Sequence, residues 1–127
     1  MMRTIRRTAF APLLVSLFSV GQLAHAQFHG LVIAWGYNEY GQCDAPAPNA
    51  EFVAVDGGYH HSLGLKTDGS IVAWGRNQYG QCDIATPNAD FIAVAAGRYH
   101  NIGLKANGSI VGWGYNYRNC LASLGLD

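Results

Sequence analysis

The sequence predicts an all-β fold built from short repeated units, and three observations carry that expectation. Trp35, Trp74 and Trp113 recur every 39 residues. Residues 30–68 align with residues 69–107 without a gap and share 21 identities in 39 positions. Between the tryptophans, short runs rich in Val, Ile, Leu and Phe are punctuated by Asp-Gly, Asn-Gly and Pro-Asn, the pattern of strands and tight turns.

The chain opens on a different composition. Arg3, Arg6 and Arg7 precede an apolar run, and Ala24-His25-Ala26 offers small residues for cleavage before Gln27. Residues 1–26 read as a secretory signal peptide, which places the mature chain outside the cytoplasm, secreted or periplasmic. The apolar run is short for a membrane span and Pro12 interrupts it, so no membrane association is expected after cleavage. Three of the eight Lys/Arg leave with the signal and all eight Asp/Glu stay, a net charge of −3. No basic stripe survives, which argues against nucleic acid as a partner.

Residues 27–127 form the repeat region, with units at 30–68 and 69–107 and a partial third at 108–127. In each unit HHSLGLK or HNIGLK runs through Asp-Gly or Asn-Gly into SIVAW or SIVGW, the signature of a hairpin with a type I′ turn. FVAV and FIAV supply a third strand, and the YGQCD segments are expected to supply a short fourth. Four short strands in about 40 residues is the size of one propeller blade. The expectation is therefore β-propeller blades of about 39 residues, incomplete at about two and a half repeats: an open fragment or part of an assembled ring. Gly58 and Gly97 mark close backbone approach, Gly64 and Gly103 leave room for a large neighbour, and the Trp indoles are the expected occupants of that room.

GGYHHSLGLKTDGSIVAWGRNQYGQ resembles the regulator of chromosome condensation, or alpha-tubulin suppressor-type, repeats. Gly58, His61-Ser62, Leu63, Leu65, Asp68-Gly69, Trp74-Gly75, Asn77 and Gly80-Gln81 carry the resemblance. The unit length is similar to that of short secreted bacterial forms, propeller-type beta-lactamase inhibitory proteins among them. The resemblance implies a β-propeller, usually of seven blades. The chain departs from that pattern in repeat number and in its third copy, where EYGQC becomes YRNC.

No chemistry-bearing motif stands out. There is no GxSxG, HExxH or P-loop, no CxxC pair and no paired carboxylates, so no catalytic residue, metal ligand or cofactor is expected. Cys43 and Cys82 read as small buried hydrophobes at equivalent places in neighbouring blades, too far apart to bridge, while Cys120 sits in the irregular tail. His61 and His100 read as residues tying blade loops together. Asn107-Gly108-Ser109 fits a glycosylation sequon, but its counterpart Asp68-Gly69-Ser70 makes it a turn.

Recognition is expected where the repeats differ. Tyr37, Glu39, Tyr59 and His60 in one copy face Arg76, Gln78, Arg98 and Tyr99 in the next, and these eight are the candidate protein-binding residues. The expected function is an exported, non-enzymatic binding module that contacts a partner protein through its loops, enzyme inhibition being one form of it. The alternatives are a truncated, degenerate remnant of a longer propeller protein or a structural subunit that completes a ring by self-association.

Overall fold

A computed structural model describes residues 2–7 and 30–116. Eight strands follow in order: β1 (Met2–Arg7), β2 (Gly30–Trp35), β3 (Phe52–Gly57), β4 (His61–Lys66), β5 (Ile71–Gly75), β6 (Phe91–Ala96), β7 (His100–Lys105) and β8 (Ile110–Gly114). Strands β3-β4-β5 form one antiparallel meander and β6-β7-β8 form its copy. Among the described residues no helix is long and apolar enough to cross a membrane.

The meanders are joined end to edge. Phe91 N–H donates to Gly69 O at 3.0 Å, just before β5. Strand β2 meets β3 in the same way, through the single pair Gly30↔Phe52. Strand β2 is thus the last strand of a preceding unit. Strand β1 pairs along its whole length, from Met2↔Trp35 to Arg7↔Gly30. Those six residues lie within the stretch read as an export signal.

The core lies between units, because a three-stranded sheet cannot bury its own faces. Leu63, Leu65 and Ile71 of the first unit meet Phe91 and Trp113 of the second. Val32 of β2 meets Phe52 and Trp74 of the first unit. In each case a Phe–Trp pair, ring centroids 6.3 Å apart, presses on the last strand of the unit before it.

Three expectations are corrected. The YGQCD segments form turns, so each unit has three strands. Their backbone is held by side chains instead of a ladder: Asn38 Oδ1 accepts from Cys43 N at 2.7 Å and Gln42 Oε1 from Tyr40 N at 2.9 Å, with Asn77 and Gln81 repeating both bonds. The hairpin turn is not type I′. Gly69 has φ 81° while Asp68 keeps a negative φ, and Gly69 N–H donates to Lys66 O while Lys66 N–H donates to Ser70 O. That is a type I turn closed by a glycine bulge. Asp68 Oδ1 accepts from the Ser70 hydroxyl and backbone N–H, bonds that hold its carboxyl below the ordinary value. Lastly, the room at Gly64 and Gly103 is filled by Phe52 and Phe91, whose Cδ1 atoms lie 2.5 and 2.7 Å from where a Cβ would sit. At Gly103 the Trp113 indole also reaches the gap, its Cζ3 3.5 Å from the same point.

Two clamps escaped the sequence reading. Asn88 grips Ile71 through both its N–H and its C=O, at 2.7 and 2.8 Å, and Asn49 grips Val32 likewise. Lys66 Nζ donates to Pro48 O and Ala50 O while lying over the Phe52 ring, and Lys105 repeats this over Phe91. Their signal was invariance between the copies, which the Pro-Asn turn reading had absorbed.

Candidate protein-binding face

The loops after β2, β5 and β8 start at Tyr37, Arg76 and Tyr115, and the β3–β4 and β6–β7 turns carry Tyr59-His60 and Arg98-Tyr99. Gly36, Gly75 and Gly114 all have positive φ, which turns the chain out of each Trp strand onto one rim. Beneath the rim, side chains and carbonyls lock the loops to the blades. Gln42 O accepts from Ser62 Oγ at 2.6 Å and Trp74 Nε1 at 2.9 Å. Gln81 O accepts from Asn101 Nδ2 at 2.7 Å and Trp113 Nε1 at 3.1 Å. Because Asn101 donates through Nδ2, its Oδ1 must accept, so His61 Nε2 is the donor across the units at 2.6 Å. The structural role expected for His61 is thereby seen directly.

On this base the aromatic side chains form a continuous strip. His60 lies among Tyr59, Tyr40 and Tyr37, with ring centroids 4.2, 4.7 and 5.6 Å away. Tyr59 meets Tyr99 edge-on at 6.2 Å, and Tyr99 continues to Tyr79 and Tyr115. Arg98 lies over both Tyr59 and Tyr99, at 4.6 and 5.2 Å, and Arg76 lies over Tyr40 at 4.9 Å. Tyr37 and Tyr59 are about half exposed. An open cleft of about 600 Å³ is bounded by Tyr37, Gly58, Tyr59 and His60.

Six of the eight candidate residues meet in this strip: Tyr37, Tyr59, His60, Arg76, Arg98 and Tyr99. Glu39 and Gln78 are exposed and bonded to it, Glu39 accepting from the Tyr37 hydroxyl and Gln78 from the Arg76 guanidinium. The variable positions thus differ as matched donor–acceptor pairs. Tyr40 and Tyr79, identical between the two copies, also belong to the strip and are more than a third exposed.

Several other polar groups near the rim are committed to structure, while the Gln42 and Gln81 side-chain Nε2 atoms and His60 Nδ1 are buried without a hydrogen-bond partner among the described residues. Asp44 and Asp83 accept from Asn38 and Asn77. Asp56 accepts from Ala96 N in the next unit at 2.8 Å. Asn107 Oδ1 accepts from Ser109, the turn role expected for that sequon. Among the described residues no group of three His, Cys, Asp or Glu is placed to hold a metal. Cys43 and Cys82 are half-buried free thiols, not buried hydrophobes as expected: each Sγ donates at 3.4 Å to the carbonyl of Tyr37 or Arg76 and closes its loop. Burial, with a smaller push from Asp83, raises the Cys82 thiol to about 11. Cys120 lies outside the described residues.

Stacked three-strand units with interlocking Phe–Trp pairs and a shared loop rim define a β-propeller-type repeat protein. The Regulator of chromosome condensation (RCC1) repeat matches residues 52–81 and 91–120. Both repeat units of the chain match that family's repeat.

Solved structures agree on the fold. Human WBSCR16 matches at 25% identity and TM-score 0.58, over 75% of this chain and 33% of its own. Yeast RCC1 (Prp20), solved with Kap60, matches at 23% identity and TM-score 0.57, over 69% of this chain and 30% of its own. The C-terminal domain of gp131 from bacteriophage phiKZ matches at 29% identity and TM-score 0.50, over 54% of this chain and 18% of its own. This chain therefore spans a third or less of these structures. Among curated proteins none matches it.

Proposed function

We propose that this chain is an exported, non-enzymatic protein-binding module, and that the Tyr/Arg strip is its contact surface. The observation that carries this reading is the strip itself. It is a continuous row of partly exposed Tyr and His rings with two guanidiniums laid on them, held on a rim whose loops are locked to the blades by structural hydrogen bonds. Tyr and Arg are the residues that dominate binding hot spots, and rings stiffened by their neighbours lose little freedom on binding. The family supports the same class of function: yeast RCC1 (Prp20) is a structure solved bound to a protein, Kap60. Covering the mouth of a secreted enzyme is the form of binding that the short secreted relatives suggest.

Affinity capture tests the reading. The immobilised chain is exposed to the exported fraction of its host beside a Tyr59→Ala/Arg98→Ala variant. A partner held by the parent and weakened about thirtyfold or more in the variant supports the strip as the surface. A partner held equally by both, or none held, overturns it.

A further inference from the structure

Arg98 sits in a corner at the junction of the two units. Its counterpart in the first unit is Tyr59, and the two turns meet directly, Tyr59 N–H donating to Arg98 O at 3.4 Å. The Tyr59 and Tyr99 rings stand at 83° to each other, and the exposed Arg98 guanidinium lies over both, 4.6 and 5.2 Å from their centroids. Rings hold a guanidinium through its face without cancelling its charge, and its N–H edge still matches a carboxylate bidentately. An open cleft of about 620 Å³ at this junction is lined by Gly57, Gly58, Tyr59, Ala96, Gly97 and Arg98, so Tyr59 and Arg98 are the only long side chains on its walls. The carboxylates of the region are engaged elsewhere. Asp56 accepts from Gly57 N through one oxygen and from Ala96 N through the other, both at 2.8 Å. Glu39 takes the Tyr37 hydroxyl and Asp83 takes Asn77. A second guanidinium, Arg76, lies over Tyr40 and bonds the neutral Gln78. The strip thus carries two positive charges, and no carboxylate among the described residues bonds either of them.

We infer that the strip selects an acidic partner segment: an Asp or Glu side chain of the partner protein enters the junction cleft, and its carboxylate takes the N–H edge of Arg98. The inference rests on the strip being the contact surface and names the chemistry that this surface reads. Charge complementarity chooses the occupant. A basic group would meet two guanidiniums, and an apolar group would bury the Arg98 edge without a partner, a cost that a carboxylate removes. Arg76 adds attraction at longer range. The two walls of the cleft come from different units and are tied together before any partner arrives, by Asp56 on Ala96 N and by Tyr59 N on Arg98 O. A seat set in advance loses little freedom on binding. The first unit carries Tyr59 where the second has Arg98, so the seat belongs to this junction and not to the repeat as such.

Selection from a random peptide library displayed on phage tests the inference, run in parallel on the immobilised chain and on its Arg98→Gln and Arg98→Lys variants. Peptides held by the parent should be enriched in Asp and Glu about threefold or more over the unselected library, and should lose about tenfold in affinity when their acid is changed to the amide or Arg98 to Gln. Arg98→Lys keeps the charge and loses the planar fork, so it should restore only part of that affinity. A parent pool that is empty or without acid enrichment overturns the inference, whether no acid seats there or an acid of this chain already does. An Arg98→Gln pool as acidic as the parent's overturns it too, as does full recovery by Lys, which would reduce the seat to unspecific attraction. The strip reading fails on a different result: peptides that the Tyr59→Ala/Arg98→Ala variant holds as well as the parent does. Peptides that this variant loses but that carry no acid keep the strip and overturn only the acidic seat.

Discussion

The two repeat units share most of their sequence and nearly all of their hydrogen bonds, yet among the described residues the outer flank of one is covered and that of the other is not. Strand β4 is buried at five consecutive residues, whereas its copy β7 is open at Leu104. The internal bonds do not explain the contrast: Lys66 and Lys105, Ser70 and Ser109, Trp74 and Trp113 make matching contacts. What differs is the neighbour. A blade of this kind is a shape completed by the next blade, and stability is shared across the junction, as in other repeat proteins.

The largest expected effect is at the junction itself. A Cβ on Gly58 would overlap the His61 ring and approach Gly97 O of the next unit to 2.7 Å, whereas the atoms nearest a Cβ on Gly97 all belong to the His100 ring. Gly58→Ala should therefore cost about 3 kcal/mol or more, and Gly97→Ala clearly less, since a side chain can yield where a neighbouring backbone cannot. Chemical denaturation of both variants measures the difference.

Next comes truncation of the flank. Leu65→Ala removes a buried side chain and should cost about 2–5 kcal/mol, while Leu104→Ala in the monomer should cost about 1 kcal/mol or less. Equal costs would mean that the second flank is covered in solution.

Smaller still in its effect on stability is the thiol of Cys82. Its rise from 9.0 to about 11 leaves roughly 100-fold less thiolate at pH 8 than an unperturbed thiol has. Alkylation in the folded chain should be slow by a similar factor and quicken with pH up to about 11. The sign for stability follows: the folded state holds this proton more tightly, so the contribution is complete below about pH 9 and is lost as pH rises toward 11.

Much of this was legible in the sequence. The Trp spacing gave the unit length, Asp-Gly and Asn-Gly placed the hairpins, and variation between copies picked out six residues of the strip. What escaped has a common cause. Phe52 and Trp74 are both large and apolar, and only three-dimensional packing decides which ring lies over Gly64. Asn49 looks like a turn residue because a side chain that grips a strand 17 positions away leaves no local pattern. Asp-Gly is compatible with either a type I′ turn or a glycine bulge, and the choice depends on whether Asp68 must adopt a positive φ. The YGQCD segment could not be told from a strand by composition, because its backbone is satisfied by Asn38 and Gln42, residues that equally suit a sheet edge.

The central claim is that a blade here is finished by its neighbour. Amide hydrogen exchange at Ile71 and Ile110, on the chain diluted until it is monomeric, tests it most directly. The account predicts that the Ile71 N–H, held by Asn88, exchanges about tenfold or more slowly than the Ile110 N–H. Equal rates at the two positions would contradict it.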